Sequence, residues 1–378
     1  MRPLNPYLDL LKSALQGHYG TVGLYSALQR LLLSFTLLAA PICCIIDAPF
    51  GRFGTPNWCS VSGTWGWLVM EIVAPIAFLV GLSAPLTTSP LSSSTITLAA
   101  SWQHAGLLLE PFHHLPRARL ILAVAFLIHY ANRSLVSTWR NPSRAKMHLA
   151  VPLSAILFNG ANGFTLGMFI GGGFVAVTES ERRDFDDDGL AREPWARALF
   201  WTGMTIWALG LASNIYHDEV LYSLKRQSQP RESRRGSKPT SPSPSGAATT
   251  SKGRSQRYSI PPRSKGLYRF VSHPSYLSEW LEWLGYHLAS LSLGPAPFPS
   301  FAATLLLRAG GGKRPVPLPQ ALQPWRDWYL QPTALFVLME VAIMWPRATS
   351  GHRWYERTFG RKEWQAHGQR WVVIPGVW

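Results

Sequence analysis

Charge is scarce in this sequence, and acidic charge is the scarcest. Only 15% of the 378 residues are Asp, Glu, Lys or Arg, against about 25% in soluble globular domains. The acidic residues number 20 and the Lys and Arg residues 36, while 47% of the chain is hydrophobic. This composition excludes a chain that is disordered throughout, and it predicts that lipid covers much of the apolar surface.

Most of the net charge of +16 lies in two stretches, which together carry +14. Residues 225–265 contain eleven Lys and Arg and one acid, and the chain from Arg347 onward contains six Lys and Arg and two acids. A nucleic-acid-binding fold carries its basic residues on one folded face instead. The distribution therefore argues against a nucleic-acid partner and favours contact with an anionic membrane surface.

Cysteine is also rare, with three residues in the chain. Cys43 and Cys44 are adjacent within an apolar run and Cys59 stands alone, so neither a disulfide framework nor a metal-ligand spacing is present. We expect no metal site. The first twenty residues lack the charged, apolar and small-residue regions of a cleaved signal peptide, and we expect none.

Long apolar runs are abundant, and each is long enough for a membrane helix of about 20 residues. The sequence predicts an all-α integral membrane protein, a bundle of seven transmembrane helices with a cofactor site that faces the cytosol. The predicted spans are 21–46, 65–85, 120–139, 149–178, 198–216, 276–307 and 329–345.

The charges of the connecting loops predict the orientation. The loop 140–148 is basic and the loop 179–197 is rich in acids, and Lys and Arg favour the cytosolic side. Seven spans with a lumenal N-terminus and a cytosolic C-terminus place every basic stretch in the cytosol. The predicted parts are an N-terminal region with the first span, spans two to five, a disordered Ser/Pro/Arg insert and a C-terminal part with a lumenal insert at 308–328: 1–60, 61–226, 227–257 and 258–378.

A few ionisable residues lie within the predicted spans, where such groups are costly and are functional candidates. They are Glu71, His129, Arg133, Glu279, Glu282 and Glu340. Structural roles are open for three of them: an interhelical hydrogen bond for Glu340, interfacial water for Glu282 and core packing for His129. Glu71 has only uncharged residues around it in its span, so this carboxyl must be protonated or paired.

Several motifs resemble those of one enzyme family in the family's own order. Residues 266–286, GLYRFVSHPSYLSEWLEWLGY, resemble the signature of the steroid 5α-reductases, and HRWY at 352–355 with a later Ile-Pro resembles their C-terminal motif. Weaker matches upstream are W-x-x-x-E ending at Glu71, H-Y-x-x-R ending at Arg133, N-G-x-x-x-G from Asn162 and N-I-x-x-D from Asn214.

The resemblance implies an endoplasmic-reticulum membrane enzyme that uses NADPH to reduce a carbon–carbon double bond conjugated to a carbonyl, as in a 3-oxo-4-ene steroid. Glu71 and Tyr130 would hydrogen-bond the carbonyl oxygen. The positions that match the family's cofactor residues are Asn162, Asn214, Asp218, Lys225, Tyr258, Glu279, Arg347, Arg353 and Tyr355. No G-x-G-x-x-G follows a strand, so a Rossmann unit is not expected.

The sequence departs from the family pattern mainly at cofactor positions, which are Ser154, Ser259, Ser275, Ser278 and Gly351. Other functions stay open. The same fold could reduce a polyprenol-type lipid or a 2-enoyl thioester, and His273-Pro274-Ser275-Tyr276 also resembles a motif of membrane methyltransferases that use S-adenosylmethionine. The departures further suggest a non-catalytic lipid-binding protein or scaffold.

Overall fold

The computed structural model describes residues 20–47, 49, 51–54, 57–84, 109, 111–172, 193–228, 259–293, 331–366 and 371–377. Seven long helices dominate this part of the chain. They are α1 (Gly20–Ile45), α2 (Gly63–Leu82), α3 (Arg117–Arg140), α4 (Ala150–Gly171), α5 (Pro194–Ser228), α6 (Pro274–Ser290) and α7 (Pro332–Phe359). A short helix, α8 (Arg361–Ala366), follows, and a two-stranded sheet joins β1 (Ser60–Val61) to β2 (Met147–His148).

Five of these helices, α1 to α5, are long and apolar enough to cross a membrane. Their outward side chains are large and apolar: Leu37, Ile45, Leu157 and Leu209 are each more than 60% exposed. Removing large apolar side chains from water is favourable, so lipid tails are the environment that suits this surface. The five helices confirm five of the predicted spans as helices with the composition of membrane spans. Within the described residues, α6 and α7 do not meet the same measure, so seven spans remain a prediction.

Glycines bring α2 and α4 into close contact. Gly163, Gly167 and Gly171 are spaced four apart and so share one face of α4. A Cβ at Gly167 would overlap the carbonyl oxygen of Phe78, and one at Gly163 would overlap that of Ala74. Small residues at this spacing let membrane helices approach backbone to backbone. The pairing holds α2, which carries Glu71, against α4, which carries Asn162.

The helices α5 and α6 meet in the same way. A Cβ at Gly203 would contact the backbone of Ala289, and one at Gly210 would contact that of Glu282. The aromatic core lies beside this contact, where Trp283 of α6 is 1% exposed and its ring centroid is 4.5 Å from that of Phe336 in α7. The close approach positions the acids of α6 inside the bundle.

Helix α3 is irregular in its second half. Residues Ala131–Val136 form a π-helix between the α-helical segments Arg117–Tyr130 and Ser137–Arg140. The hydroxyls of Ser134 and Ser137 donate hydrogen bonds to the carbonyls four residues earlier. Such π segments often occur at functional sites, and this one begins directly after Tyr130.

The C-terminal residues return to the bundle. Val271 and Trp371 form an isolated parallel bridge, and the hydroxyl of Ser272 donates a hydrogen bond of 3.1 Å to the carbonyl of Val372. The same hydroxyl lies 2.9 Å from Nδ1 of His273 and 2.9 Å from Nδ1 of His352 in α7. Segment 371–373 is thereby tied both to the start of α6 and to α7.

The helix bounds differ from the predicted spans mainly at two ends. Helix α5 continues to Ser228, well beyond the predicted end at 216, and α7 continues to Phe359 rather than ending at 345. Both extensions are rich in polar residues, and hydropathy alone assigns such segments to loops. Of the disordered insert predicted at 227–257, Gln227 and Ser228 are helical, because α5 continues to Ser228. The rest of that insert, the lumenal insert at 308–328 and the end of the sixth span lie outside the described residues.

Candidate functional site

Arg133 is the centre of a buried polar cluster at the middle of the helix bundle. Its Nε lies 3.2 Å from Oε2 of Glu71, and its Nη1 lies 2.7 Å from Oε1 of Glu279. Glu71 and Glu279 are each 4% exposed. One guanidinium from α3 therefore joins carboxyls from α2 and α6, and the expectation that Glu71 must be protonated or paired is met by an ion pair.

Two further polar residues complete this inner cluster. Asn214 of α5 donates from Nδ2 to Oε2 of Glu279 at 3.4 Å and to the carbonyl of Ser275 at 3.3 Å. Glu340 of α7 interacts electrostatically with Arg133, Glu279 and Glu71. Two carboxyls, those of Glu71 and Glu279, contact one guanidinium, and Glu340 is a further acid within electrostatic range of all three.

Tyr130 is buried beside this cluster, with 3% of its surface exposed. Aromatic rings surround it: the centroids of Phe126, His129 and Trp283 lie 4.7, 5.0 and 6.3 Å from its own. No residue in the described part of the chain hydrogen-bonds its hydroxyl. Glu71 is close enough to Tyr130 to interact with it electrostatically.

Trp67 connects the inner cluster to the loop that follows α3. Its indole nitrogen donates to the carbonyl of Arg133 at 3.1 Å, and the guanidinium carbons of Arg133 and Arg144 lie 5.2 and 4.1 Å from its ring centroid. The pairing of β1 with β2 holds the Arg144 loop beside the start of α2. Trp67 therefore separates two cations by an aromatic ring that attracts both.

Beyond Trp67 lies an outer basic cluster formed by Arg52, Arg144 and Lys225. Lys225 interacts electrostatically with both arginines, while its Nζ donates to Oδ1 of Asn141 at 3.1 Å. Burial lowers the pKa of the Arg144 guanidinium, with Arg133 as a further cationic neighbour. Three like charges held together with one nearby carboxylate, that of Asp218, form a site suited to an anion.

Asp218 lies between the two clusters. Its carboxylate accepts a hydrogen bond of 2.8 Å from Ser275 and one of 3.4 Å from Tyr222, and it interacts electrostatically with Arg133 and Arg144. It is one helical turn beyond Asn214 on α5. These two residues, predicted from one motif, therefore do reach the same region.

The remaining predicted cofactor residues are distributed as follows. Tyr355 stacks on Trp364 at 4.8 Å and carries the guanidinium of Arg52 over its ring at 4.7 Å. Arg347 lies over the ring of Phe53 at 5.7 Å. Both thus border the outer basic cluster.

Arg353 and Tyr258 are not placed with the others. Arg353 lines a different cavity of about 400 Å³ with Cys44 and Trp345 at the end of α1, and no hydrogen bond or ion pair from it is present among the described residues. Tyr258 lies outside the described residues.

Asn162 has an unsatisfied amide on α4. Its side chain is 1% exposed, and its Nδ2 has no hydrogen-bond partner among the residues that the structure describes. A buried amide without partners is costly, and a polar acceptor of a bound nucleotide would satisfy it. The amide and the outer basic cluster are compatible in their chemistry with a dinucleotide cofactor.

The structure accounts for several departures from the family pattern. Ser275 donates to Asp218 as described above, and Ser278 is 1% exposed, with hydrogen bonds of 2.8 Å to Pro274 and Ser213. Gly351 leaves room for an imidazole, since a Cβ there would meet Nε2 of His273 at 2.5 Å. Ser154 is exposed and hydrogen-bonds its own helix, so nothing in its contacts replaces an arginine.

The structure adds residues to the predicted set. The sequence places Arg133 within a span and within H-Y-x-x-R without indicating a role, and its spacing of four from His129 is the available signal. Arg144 is indicated only as part of a basic loop, and no signal in the sequence indicates Arg52. Within the described residues, no group of three or more His, Cys, Asp or Glu side chains is arranged to hold a metal ion.

Comparison with known proteins agrees with the motifs. Residues 242–310 match the family described as 3-oxo-5-alpha-steroid 4-dehydrogenase. An uncharacterized protein of Schizosaccharomyces pombe is 28% identical over 356 residues, which span 93% of this chain and 98% of that protein. The 3-oxo-5-alpha-steroid 4-dehydrogenase 1 of Bos taurus is 28% identical over 262 residues, 69% of this chain and 77% of its own.

A plant relative shows the same likeness. A steroid 5-alpha-reductase of Solanum lycopersicum is 25% identical over 248 residues, 65% of each chain. The predicted resemblance to the steroid 5α-reductase family is thereby confirmed, and at family level a steroid-reductase type of function is supported.

Proposed function

From this similarity to 3-oxo-5-alpha-steroid 4-dehydrogenases, we propose that the chain is an NADPH-dependent reductase. Its substrate is a steroid or related lipid in which a carbon–carbon double bond is conjugated to a carbonyl. The observation that carries the proposal is the side chain of Tyr130, which is 3% exposed among the rings of Phe126, His129 and Trp283 and has no hydrogen bond from its hydroxyl to the described residues.

NADPH, when bound, supplies a hydride to the β-carbon of the enone. The residues proposed to hold it that lie in or near the inner and outer clusters are Asn214, Asp218, Lys225, Glu279, Arg347 and Tyr355, together with Arg52 and Arg144. The family motifs also assign Asn162, Tyr258 and Arg353 to the cofactor, although Arg353 lines a different cavity and Tyr258 lies outside the described residues. The orphaned amide of Asn162 supports this assignment most directly.

Tyr130 and Glu71 act on the substrate's carbonyl oxygen. Negative charge develops on this oxygen as the double bond is reduced, and donors fixed in advance stabilise that charge more than mobile water does. Tyr130 offers a neutral hydroxyl. Glu71 is held beside the site by its contact with Nε of Arg133 at 3.2 Å, and donation to the carbonyl oxygen requires that its carboxyl carry the proton.

The exclusion of water strengthens both contacts. Tyr130 and Glu71 are 3% and 4% exposed, and a charge–dipole interaction is stronger where the effective dielectric is low. The burial also protects an enolate from early protonation. A lipid substrate can enter such a site from the bilayer, since the surrounding helices are apolar on their outer faces.

The proposal is tested by product analysis. Purified protein would be incubated with NADPH and a mixture of 3-oxo-4-ene steroids, and products followed by mass spectrometry. We expect Tyr130→Phe to lower turnover by on the order of 10²-fold, the cost of removing one transition-state donor. Glu71→Gln should lower turnover more than it weakens NADPH binding. Unchanged turnover in either variant would show that the carbonyl-donor assignment is wrong.

A matched control is available in Tyr286→Phe. Tyr286 is equally buried, but its hydroxyl already donates to the carbonyl of Leu122 at 3.1 Å. Its loss should reduce stability by about 1 kcal/mol without a comparable loss of turnover.

The same assay separates the alternatives. Polyprenals and 2-enoyl thioesters would be included as substrates, and S-adenosylmethionine would be titrated against NADPH. Saturable binding of S-adenosylmethionine with none of NADPH would favour the methyltransferase. Binding of NADPH without oxidation by any enone would favour a non-catalytic lipid-binding protein.

The proposed location is the endoplasmic-reticulum membrane, with the C-terminus and the outer basic cluster in the cytosol. The basic loop after α3 supports this orientation, since Lys and Arg favour the cytosolic side of short loops. A cytosolic opening would admit a water-soluble cofactor, while the substrate arrives from the lipid.

A further inference from the structure

Helices α3 and α6 are joined by two polar side-chain contacts, whose α3 residues flank Tyr130 in the chain. On α3, His129 and Arg133 are four residues apart, and on α6, Glu279 and Glu282 are three apart, so each pair shares one helix face. Arg133 meets Glu279 at 2.7 Å, and Nδ1 of His129 meets Oε1 of Glu282 at 2.6 Å. The first contact belongs to the inner cluster, whereas the second has no role in the proposed reaction.

The contact between His129 and Glu282 is fully removed from solvent. Glu282 is 0% exposed and His129 is 3% exposed. Oε2 of Glu282 has no hydrogen-bond partner among the described residues. A buried acid with a half-satisfied carboxyl adds little stability compared with an apolar pair of the same volume. Its geometry therefore points to orientation rather than to stability.

The orientation concerns the ring next to it. Accepting from Nδ1–H, Glu282 fixes both the tautomer and the plane of the imidazole, as a carboxylate does for other functional histidines. The imidazole stands edge-on to Tyr130, with ring centroids 5.0 Å apart and planes at 74°. Trp283 follows Glu282 on α6, and its ring centroid lies 4.5 Å from that of the imidazole.

We infer that His129 and Glu282 are positioning residues that hold the phenol of Tyr130 in its reactive orientation. The inference rests on the proposed function, in which Tyr130 donates to the substrate's carbonyl. Because the phenol has no partner of its own in the described residues, its direction is set only by the rings around it. Glu282 orients the imidazole, the imidazole packs on the phenol, and the phenol points at the carbonyl.

Enzyme kinetics supply the first half of the test. Glu282→Gln keeps the volume but not the charge, and His129→Asn keeps a side-chain N–H near the position of Nδ1. We expect Glu282→Gln to lower kcat by about tenfold or more, with KM and the Kd for NADPH within about twofold, since a small misplacement of a reacting group acts on the chemical step. His129→Asn should retain more of kcat than His129→Leu.

The matched control is His287→Asn. His287 lies on the same helix, is 4% exposed and contacts Thr333 through Nδ1 at 2.8 Å. The substitution removes a buried histidine of similar bonding away from Tyr130. If it lowers kcat as much as Glu282→Gln does, the effect is merely structural and the inference is overturned.

The second half does not depend on turnover. Protein labelled with 3-fluorotyrosine would be examined by ¹⁹F NMR; the chain has 12 tyrosines, so the resonance of Tyr130 is identified by its loss in Tyr130→Phe. We expect this resonance to shift in Glu282→Gln and in His129→Leu, but not in His287→Asn. An unmoved resonance, or a shift without loss of kcat in an active enzyme, overturns the inference.

The two halves also separate the inference from the proposed function. If the resonance shifts as expected while the wild-type protein reduces no enone, the positioning holds and the proposed function fails. If the wild-type protein reduces an enone and Glu282→Gln changes neither kcat nor the resonance, the proposed function holds and the positioning fails.

Discussion

Arg133 connects the residues of the inner cluster to one another. Its guanidinium has the carboxyls of Glu71 and Glu279 on two of its nitrogens, its carbonyl accepts from Trp67, and its side chain is 27% exposed. Arginine suits this position because it stays charged in a dry environment and presents several donors in a fixed plane. The residue is therefore both a structural link between α2, α3 and α6 and the positive charge of the site.

The first prediction concerns the removal of that charge. Arg133→Gln should destabilise the fold by about 3 kcal/mol, because two buried carboxyls lose their counter-ion. Thermal unfolding in detergent micelles would measure the change.

The control for this prediction is Arg140→Gln on the same helix. The ion pair of Arg140 with Glu219 is exposed, with side-chain exposures of 54% and 31%, and its loss should cost about 0–1 kcal/mol. Equal destabilisation by both substitutions would contradict the structural role of Arg133.

At the scale of the helices, the α2–α4 contact decides where Glu71 points. The glycines of α4 interlock with the carbonyls of α2 over three turns, so α2 can neither rotate nor slide without a backbone collision. Close backbone contact replaces the hydrophobic effect as the source of helix association in a bilayer. This arrangement fixes the position of Glu71, one of the two residues proposed to bind the substrate's carbonyl oxygen, through contacts outside the site.

The second prediction compares two glycines of α4. Gly167→Ala places a Cβ on the carbonyl oxygen of Phe78, whereas at Gly160 the nearest atom is Cγ1 of Val73 at 3.6 Å. We expect Gly167→Ala to destabilise the protein by about 1–3 kcal/mol. Gly160→Ala should be neutral or stabilise it by up to about 1 kcal/mol through helix propensity.

The measurement for this pair is again the thermal unfolding midpoint, with NADPH binding as a second readout. A Gly167→Ala protein as stable as the wild type would show that α2 and α4 do not approach as closely as described. Such a result would also remove the basis for the fixed direction of Glu71.

The sequence predicts the helices better than it predicts their partners. Apolar runs identify α1 to α5 because lipid selects for composition, and composition is local. The ends of α5 and α7 are missed because their last turns are polar and pack on other parts of the chain. Motif resemblance selects Glu71 and Tyr130, but the pairing of Glu71 with Arg133 depends on the register between α2 and α3, and the contact of Glu282 with His129 depends on that between α3 and α6.

Arg52 illustrates the limit most clearly. It lies in a short segment between α1 and α2 that has no motif, and its place over Tyr355 arises from contacts more than 300 positions apart in the chain. Tertiary contact alone brings it to Arg144 and Lys225. A sequence without homologous alignment offers no pattern from which such a contact could be predicted.

At the scale of the whole molecule, the C-terminal segment 371–373 packs beside two histidines, His273 and His352. Burial lowers the pKa of His273 well below its ordinary value, with the cations Arg52, His352 and Arg347 as further causes. Burial likewise lowers the pKa of His352. Both imidazoles approach one hydroxyl, that of Ser272, and the carboxylate of Glu356 only partly offsets the effect of burial on the pKa of His352.

The third prediction follows from the sign of these shifts. In the unfolded chain a histidine has a pKa of about 6.5, and in the folded protein that of His273 is lower, so the unfolded state binds more protons in acid. Stability should be full above about pH 6.5 and should fall as the pH decreases below it. Unfolding midpoints measured between about pH 5 and 8 would show the slope.

His273→Gln tests the assignment of that slope. The variant keeps a side-chain amide near Ser272 but cannot titrate in this range, so its unfolding midpoint should depend less steeply on pH than that of the wild type. An unchanged slope would mean that other histidines control the acid sensitivity.

The π segment of α3 has a consequence for the angle between the two ends of the site. An α-helix turns by about 100° per residue, and a π segment accommodates one residue more than the α-helix it interrupts. Deleting a single residue from Ala131–Val136 would restore the regular winding and swing the following chain, with Arg144, about a quarter-turn from Trp67. One additional residue in α3 therefore sets the rotational position of Arg144, in the outer basic cluster, relative to the inner cluster around Arg133.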